Sequence, residues 1–210
     1  MSTVATQAAT PEELLAAARN TMTAEAFRTL FDRVVAEGRT TGGDQGEEMV
    51  AYTKLNLART VRNEKTVKLL PELQEVLAGL PAMHWLVITE AWCGDSSQVT
   101  PVLSLMAAAA PNVRFGILLR DEHLGLMDKY LTLGGRSIPK LIAFDGDGNE
   151  LFTWGPRPQA AQDIVWDNKK LPADQQLPKE ELYAKVHAWY AKDRGVSIQQ
   201  EFLGLLKSVK

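Results

Sequence analysis

The feature that most constrains the fold of this chain is a change of pattern near residue 83. The apolar run 83 to 88, which includes Val and Ile, predicts a buried strand, and apolar residues then recur at helical spacing from Val99 to Met106. The only cysteine, Cys93, lies between these two elements. Unpaired backbone N–H groups and the positive end of the dipole at the first turn of a helix stabilise a thiolate. The pattern therefore predicts a reactive thiol at a strand-to-helix junction.

Composition narrows the class of protein. The 210 residues are 45% hydrophobic and 23% charged, which is typical of a globular chain with a sizeable core. A net charge of −3 argues against nucleic acid and anionic membranes as partners, because both attract clustered Lys and Arg. One cysteine and three dispersed histidines argue against a structural metal. No signal peptide or run of ~20 apolar residues is present, so we expect a cytoplasmic protein, of undetermined oligomeric state.

The first third of the chain is predicted to be helical. Thr10-Pro11-Glu12-Glu13 combines an N-cap, a proline at the first helical position and a capping glutamate, so a helix begins there. Breaker residues predict a loop over 39 to 46. Three more helices are expected, at about 24 to 37, 47 to 63 and 71 to 79. We therefore expect an all-helical N-terminal extension over residues 1–80.

Strands and helices alternate from residue 83 onward. The pattern predicts strands at 83–89, 113–119, 140–144 and 150–154, and helices at 95–109, 123–133 and 179–192. Asp145-Gly146-Asp147-Gly148-Asn149 is typical of a hairpin turn, since glycine and Asx residues tolerate a positive φ. This order predicts an α/β domain with a central sheet over 81–192, followed by a C-terminal tail or helix over 193–210.

Spaced motifs in this half of the chain resemble the thioredoxin family over roughly 83 to 190. Trp92-Cys93-Gly94 is similar to the start of that family's active-site motif, and Pro101 to its helix-kinking proline. Ile138-Pro139 is similar to the pair joined by a cis peptide bond, and Gly155 to the glycine after the hairpin. The resemblance implies a thioredoxin-like fold, a mixed sheet flanked by helices. It also implies that Trp92, Gly94, Ile138 and Pro139 bind the substrate.

Longer strings resemble a little-characterised bacterial thioredoxin-like group with a helical N-terminal extension. These strings are Leu119 to Glu122, Gly135 to Lys140 and Trp154 to Pro158, together with the motif Trp92-Cys93-Gly94-Asp95-Ser96. Membership of such a group implies a fold and does not name a substrate.

Two departures from the family pattern bear on the mechanism. Ser96 stands where the family has its resolving cysteine, so a dithiol cycle cannot close within this chain. Val87 stands where the family has a buried acid. The resemblance then implies a single-cysteine oxidoreductase: Cys93 attacks a protein or glutathione disulfide, and an external thiol resolves the mixed disulfide. No cofactor is expected, although glutathione is a candidate co-substrate that Lys140 and Arg157 could steer electrostatically.

The expected catalytic residues are Cys93, Ser96 and Asp95. The helix terminus and the Ser96 hydroxyl favour the thiolate, whereas the Asp95 carboxylate favours the thiol by like-charge repulsion. Because exposure and screening should limit that repulsion, we expect a modestly lowered thiol pKa. Asp95 also suits the first turn of a helix, where an acid stabilises the dipole.

Two alternatives to an oxidoreductase remain open. The chain is also consistent with a non-catalytic thioredoxin-fold module that binds a partner protein through its helices or peptide groove. The string Cys93-Gly94-Asp95-Ser96 is in addition similar to monothiol glutaredoxins, which hold an iron-sulfur cluster together with glutathione. A thiol pKa at or above about 8.5 would favour the binding module.

Overall fold

The structure, a computed structural model, describes residues 8–209. Its helices are α1 (Pro11–Arg19), α2 (Ala24–Ala36), α3 (Glu47–Thr66), α4 (Pro71–Ala78), α5 (Gly94–Ala108), α6 (Leu124–Met127), α7 (Gln159–Lys170), α8 (Lys179–Asp193) and α9 (Val196–Lys207). Its strands are β1 (Met83–Thr89), β2 (Val113–Leu119), β3 (Lys140–Asp145) and β4 (Glu150–Trp154). No helix within 8–209 is long and apolar enough to cross a membrane.

The four strands form one mixed sheet in the order β2-β1-β3-β4. Strand β1 is parallel to β2 and antiparallel to β3, and β3 pairs with β4 as a hairpin. Six of the seven residues of β1 are buried, which explains why its sequence is an almost continuous apolar run. The predicted central sheet flanked by helices is confirmed.

Helix α5 follows β1 after a short turn and is coupled to α3 through a proline. Pro101 lies inside α5 and has no N–H, so the carbonyl of Ser97 lacks its usual partner within the helix. That carbonyl accepts hydrogen bonds from Thr60 Oγ1 at 3.4 Å and from Asn63 Nδ2 at 3.2 Å. The proline that breaks the hydrogen-bond pattern of α5 therefore creates a docking point for α3.

The buried face of α3 is polar. Its four buried residues recur at helical spacing and are Thr53, Asn56, Thr60 and Asn63. Asn56 Nδ2 donates to the Ala91 carbonyl at 3.2 Å, in the turn that leads to Cys93. Because a buried polar group needs a partner, these contacts hold α3 at a defined position against the turn.

Helix α9 covers the sheet with apolar side chains instead. Phe202 is fully buried, and its ring centroid lies 5.4 Å from that of Trp85 and 5.4 Å from that of Trp154. Helix α7 is absent from the sequence predictions. Its buried residues include polar Gln162 and Asn168, which weaken the apolar periodicity by which a helix is recognised.

One sequence prediction about this half of the chain is wrong. The helix expected over 123–133 is reduced to the single turn of α6. Leu133 and Gly134 have positive φ values of 50° and 79°, and Leu133 is 84% exposed. Apolar residues thus continue at helical spacing past Met127, but the helix ends at Met127. Of the residues 123–133, only Met127 is fully buried. The other predicted helices and strands are confirmed to within a few residues.

Candidate functional site

Cys93 is the N-cap residue of α5 and is 9% exposed. Its thiol donates a hydrogen bond to the carbonyl oxygen of Ile138 at 3.3 Å. The Ile138-Pro139 peptide bond is cis, as the family resemblance implies. The sulfur therefore joins two loops that are 45 residues apart in the chain.

Gly155 packs against the cis-proline loop. Its φ is 114°, and a Cβ at this position would overlap the carbonyl oxygen of Pro139. Only glycine combines this φ with so close an approach. The end of β4 thus supports the loop that contacts the thiol, which is the physical reason for the glycine in the motif.

The environment of the thiol disfavours its ionised form. Burial raises the pKa of Cys93 to about 11, and the negative charge of Asp95 acts in the same direction. The Ser96 hydroxyl and the backbone N–H groups of Ser96 and Asp95 lower the pKa, but by less. The modestly lowered pKa predicted from the sequence is therefore wrong, because desolvation outweighs the donors at the helix terminus.

Asp95 is buried in an ion pair. It is 7% exposed and accepts a bidentate hydrogen bond from Arg157, with Nε 3.1 Å from Oδ1 and Nη2 bonded to Oδ2. Tyr190 Oη donates to the same carboxylate at 3.0 Å. The expectation of an exposed and screened Asp95 is thus wrong. The proposed steering by Arg157 and Lys140 is also wrong, because Arg157 is buried in the pair with Asp95 and Lys140 is only 8% exposed.

Trp92 lies beside the thiol and is half-buried. The Arg120 guanidinium stacks over its ring, 4.4 Å from the centroid, and also pairs with Asp121 at 2.7 Å. A Cβ at Gly42 would lie 3.1 Å from Trp92 Nε1, so the loop before α3 packs closely against the indole. Trp92 is therefore held between the end of β2 and the N-terminal helical region.

Two residues that the sequence predictions missed meet over Gly94. A Cβ at Gly94 would overlap the hydroxyl of Tyr52 and would lie 2.9 Å from the ring of His187. Tyr52 belongs to α3 and His187 to α8, 135 residues apart, and Tyr52 Oη lies 2.9 Å from His187 Nε2. No local motif links two such distant residues. The glycine itself is the one sequence signal of a close approach at this position.

A cavity of about 540 Å³ opens between α3 and α8, with Cys93 in its wall. Its lining is Glu48, Met49, Tyr52, Arg59, Trp92, Cys93, Gly94, Asp95, Lys179, Glu180, Tyr183, Ala184 and His187. Helices from both ends of the chain therefore enclose the thiol and restrict what can reach it. Within 8–209, no group of three or more His, Cys, Asp or Glu side chains is placed to hold a metal ion.

A second cavity, of about 250 Å³, has Ser96 and Glu90 in its wall. With Cys93 in its thiol form, bonded to Ile138, Ser96 Oγ and Glu90 Oε2 are buried and have no hydrogen-bond partner among the described residues. The other oxygen of Glu90 accepts from the Asp121 N–H at 2.9 Å. Burial raises the pKa of Glu90. Its carboxyl group lines the same cavity as Ser96, which stands at the position of the missing resolving cysteine, although Val87 replaces the family's acid.

All the predicted site residues lie in this region. Cys93 contacts Ile138 of the cis pair with Pro139, and Trp92, Gly94, Asp95 and Ser96 surround it on the turn and first turn of α5. A mixed sheet, a cis proline opposite a strand-to-helix turn, and a cysteine at that turn define a thioredoxin-like protein.

Sequence comparison identifies the family. The family model described as Thioredoxin matches residues 42–176, more than half of the chain, and the chain therefore belongs to the thioredoxin family. The chain is 40% identical over 60 residues to a thioredoxin of Chlamydia pneumoniae, a stretch that covers 29% of this chain and 55% of that protein. The match thus spans about half the length of this curated relative.

Solved structures support the fold alone, because their sequence identity is low. A Pseudomonas aeruginosa protein of unknown function superposes with a TM-score of 0.58 at 18% identity, over 90% of this chain and 99% of that one. An HIV epitope-scaffold protein superposes with a TM-score of 0.54 at 17% identity, over 85% and 98% of the two chains. The thioredoxin-like fold with N-terminal helices is confirmed.

Proposed function

We propose that this protein is a single-cysteine thiol-disulfide oxidoreductase, in which Cys93 forms a mixed disulfide that an external thiol resolves. The observation that carries the proposal is the position of the thiol. The only cysteine of the chain lies at the start of α5, against the cis Ile138-Pro139 peptide, in the wall of a cavity of about 540 Å³.

The exchange needs only the Cys93 thiol, the substrate disulfide and external thiols. The Cys93 thiolate attacks one sulfur of a disulfide, and a new S–S bond forms while the original bond breaks. The leaving sulfur departs with the electron pair as a thiolate and takes up the proton that the Cys93 thiol lost to solvent. A second thiolate then attacks the mixed disulfide and releases Cys93 as it was. One external thiol thus releases one substrate thiol and leaves a disulfide between itself and the other substrate sulfur. A second external thiol reacts with that disulfide, so that the substrate disulfide is fully reduced and the two external thiols are oxidised to a disulfide.

The raised thiol pKa sets the speed of this reaction. With a pKa of about 11, only roughly one Cys93 in ten thousand is ionised at pH 7. Exchange at neutral pH is therefore slow and accelerates about tenfold per pH unit until the thiol ionises. This distinguishes the protein from an oxidoreductase whose thiolate is preformed.

Charges at the cavity favour a small zwitterionic disulfide such as glutathione disulfide over a neutral one. Two cations, Arg59 and Lys179, line the cavity, together with two anions besides the paired Asp95, namely Glu48 and Glu180. The eight ion pairs of the described residues all involve other side chains. These four charges are thus available to the carboxylates and ammonium groups of a ligand.

Mass spectrometry tests the proposal directly. The protein is incubated with glutathione disulfide from pH 7 to 10, and we expect one glutathione per chain, formed faster at higher pH and removed by added thiol. The Cys93→Ser variant is the control and forms no adduct. The Lys179→Gln variant should react about two- to threefold more slowly with glutathione disulfide than the parent protein, and equally fast with neutral hydroxyethyl disulfide. Absence of an adduct at every pH contradicts the proposal.

A second candidate function is a binding module without redox chemistry. It is favoured by the thiol itself, which is buried, hydrogen-bonded to Ile138 and protonated at neutral pH. In that case the Cys93→Ser variant retains the binding of its ligand in full. Under the oxidoreductase proposal, the same variant loses every covalent intermediate.

A further inference from the structure

A chain of hydrogen bonds leads from α3 through Gln98 of α5 to the thiol cavity. The Oε1 atom of Gln98 accepts from Arg62 Nη2 at 2.8 Å and from Asn63 Nδ2 at 2.9 Å. Because a guanidinium only donates, these contacts fix the orientation of the Gln98 amide. Its Nε2 atom therefore faces His187 Nδ1, at 3.1 Å.

The amide of Gln98 determines the tautomer of His187. The Nε2 atom of Gln98 only donates, so Nδ1 of His187 must accept and carries no proton. Burial, and then the positive charge of Arg59, lower the pKa of His187 to about 4, so that the ring is neutral at pH 7. Its single proton is therefore on Nε2, which donates to Tyr52 Oη at 2.9 Å.

Tyr52 is left with a proton that points away from His187. Its hydroxyl accepts from His187, lies over Gly94 and lines the same cavity as Cys93. Burial raises the pKa of Tyr52, so its hydroxyl keeps its proton at neutral pH. A neutral donor held over Gly94 thus faces the same cavity as a sulfur that burial makes hard to ionise.

We propose that Tyr52 is a further catalytic residue of this site: its hydroxyl donates a hydrogen bond to the sulfur that carries negative charge during exchange. Gln98 and His187 are the positioning residues that turn its proton toward the cavity. A donor that is oriented in advance stabilises the developing charge without reorganising. This inference rests on the proposed function of Cys93 and assigns a role in it to the N-terminal helix α3.

The tautomer of His187 is the first test. A long-range ¹H–¹⁵N NMR spectrum of the ¹⁵N-labelled protein at pH 7 should show a neutral His187 ring with its proton on Nε2, assigned by its loss in His187→Gln. A ring protonated on Nδ1 overturns the proposal, since Tyr52 would then donate to Nε2 and offer no proton to the sulfur. This measurement uses the native protein and so does not depend on the folding of any variant.

The second test compares two tyrosines that line the same cavity, Tyr52 and Tyr183. The rate of alkylation by iodoacetamide is followed from pH 7 to 11 for Tyr52→Phe, Tyr183→Phe and the parent protein. We expect Tyr52→Phe to react at least about tenfold more slowly below the thiol pKa, because one donor to the thiolate is lost. Tyr183→Phe should react at the parent rate. Equal rates in all three proteins overturn the proposal.

The two tests separate this inference from the proposed function. Slow alkylation in Tyr52→Phe without a glutathione adduct in the parent protein supports the Tyr52 donor and contradicts the oxidoreductase. Unchanged alkylation in Tyr52→Phe with a normal adduct in the parent protein contradicts the donor and supports the oxidoreductase. Thermal unfolding of the variants checks that both tyrosine substitutions leave the fold intact.

Discussion

Helices α9 and α3 pack against the rest of the protein in opposite ways. Helix α9 presents an apolar face to the sheet, with Phe202 between the rings of Trp85 and Trp154. Helix α3 presents a polar stripe to α5 and donates hydrogen bonds from Thr60 and Asn63 to a carbonyl that Pro101 leaves free.

This contrast distinguishes contacts that stabilise the fold from contacts that fix the position of a helix. Apolar burial stabilises roughly in proportion to area and tolerates small displacements, since it has no direction. Hydrogen bonds are directional, and a buried polar group that loses its partner costs about 1–3 kcal/mol. We therefore expect the α9 interface to determine how stable the protein is, and the α3 interface to determine how the thiol behaves. Four substitutions or titrations test this difference.

The largest effect is expected at the apolar interface. Phe202→Ala should lower the free energy of unfolding by about 3–5 kcal/mol, because the substitution leaves a cavity among packed rings. The pKa of Cys93 should not change. Urea denaturation and iodoacetamide titration measure the two quantities, and the exposed Leu171→Ala is the control. A shift in the thiol pKa of Phe202→Ala would mean that the two interfaces are coupled.

Asp95→Asn should affect both stability and chemistry. The variant leaves Arg157 buried without its carboxylate, at a cost of about 3 kcal/mol, while it lowers the pKa of Cys93 because the like charge is removed. Chemical denaturation and alkylation against pH measure the effects. The double variant with Arg157→Gln should regain part of the lost stability and keep the lower thiol pKa. An unchanged pKa in Asp95→Asn excludes a role for this carboxylate at the thiol.

Stability should decrease at alkaline pH because of Cys93. The native thiol has a pKa of about 11 against 9.0 for an unperturbed one, so the native state holds its proton more tightly than the unfolded state. The stabilisation is complete below pH 9 and is lost as the pH rises to about 11, by up to about 3 kcal/mol. Denaturation of the parent protein and of Cys93→Ala over this range isolates the contribution. Parallel curves for the two proteins would show that the thiol is not buried in solution.

A smaller effect is expected from Asn63→Ala. It removes a donor to the Ser97 carbonyl and to Gln98 Oε1, and we expect a loss of about 1–2 kcal/mol. Because Gln98 also loses one of its two fixed contacts, alkylation of Cys93 should slow. The exposed Lys65→Ala, on the same helix, is the control. A stability loss without any change in alkylation would mean that the α3 interface, like the α9 interface, contributes only to stability.

Local sequence determined most of the elements, although it missed α7 and extended α6 too far. The capping box of α1 forms as its residues predict, with Thr10 N 2.7 Å from Glu13 Oε2, because cap and helix are neighbours in the chain. The hairpin turn after β3 has Gly148 at a φ of 88°, as its glycine and Asx residues predict. The domain limits at residues 80 and 192 stay predictions.

The chemistry of the thiol was decided only by the tertiary structure. The sequence places Cys93 at the start of a helix, where local donors lower a thiol pKa, and that part of the argument holds. The net direction depends on how much water the packed helices exclude and on which charge pairs with Asp95, whose partner Arg157 is 62 residues away. The pairing of Tyr52 with His187 spans 135 residues. Desolvation and long-range contacts are properties of the folded chain, so no local pattern in the sequence encodes their sum.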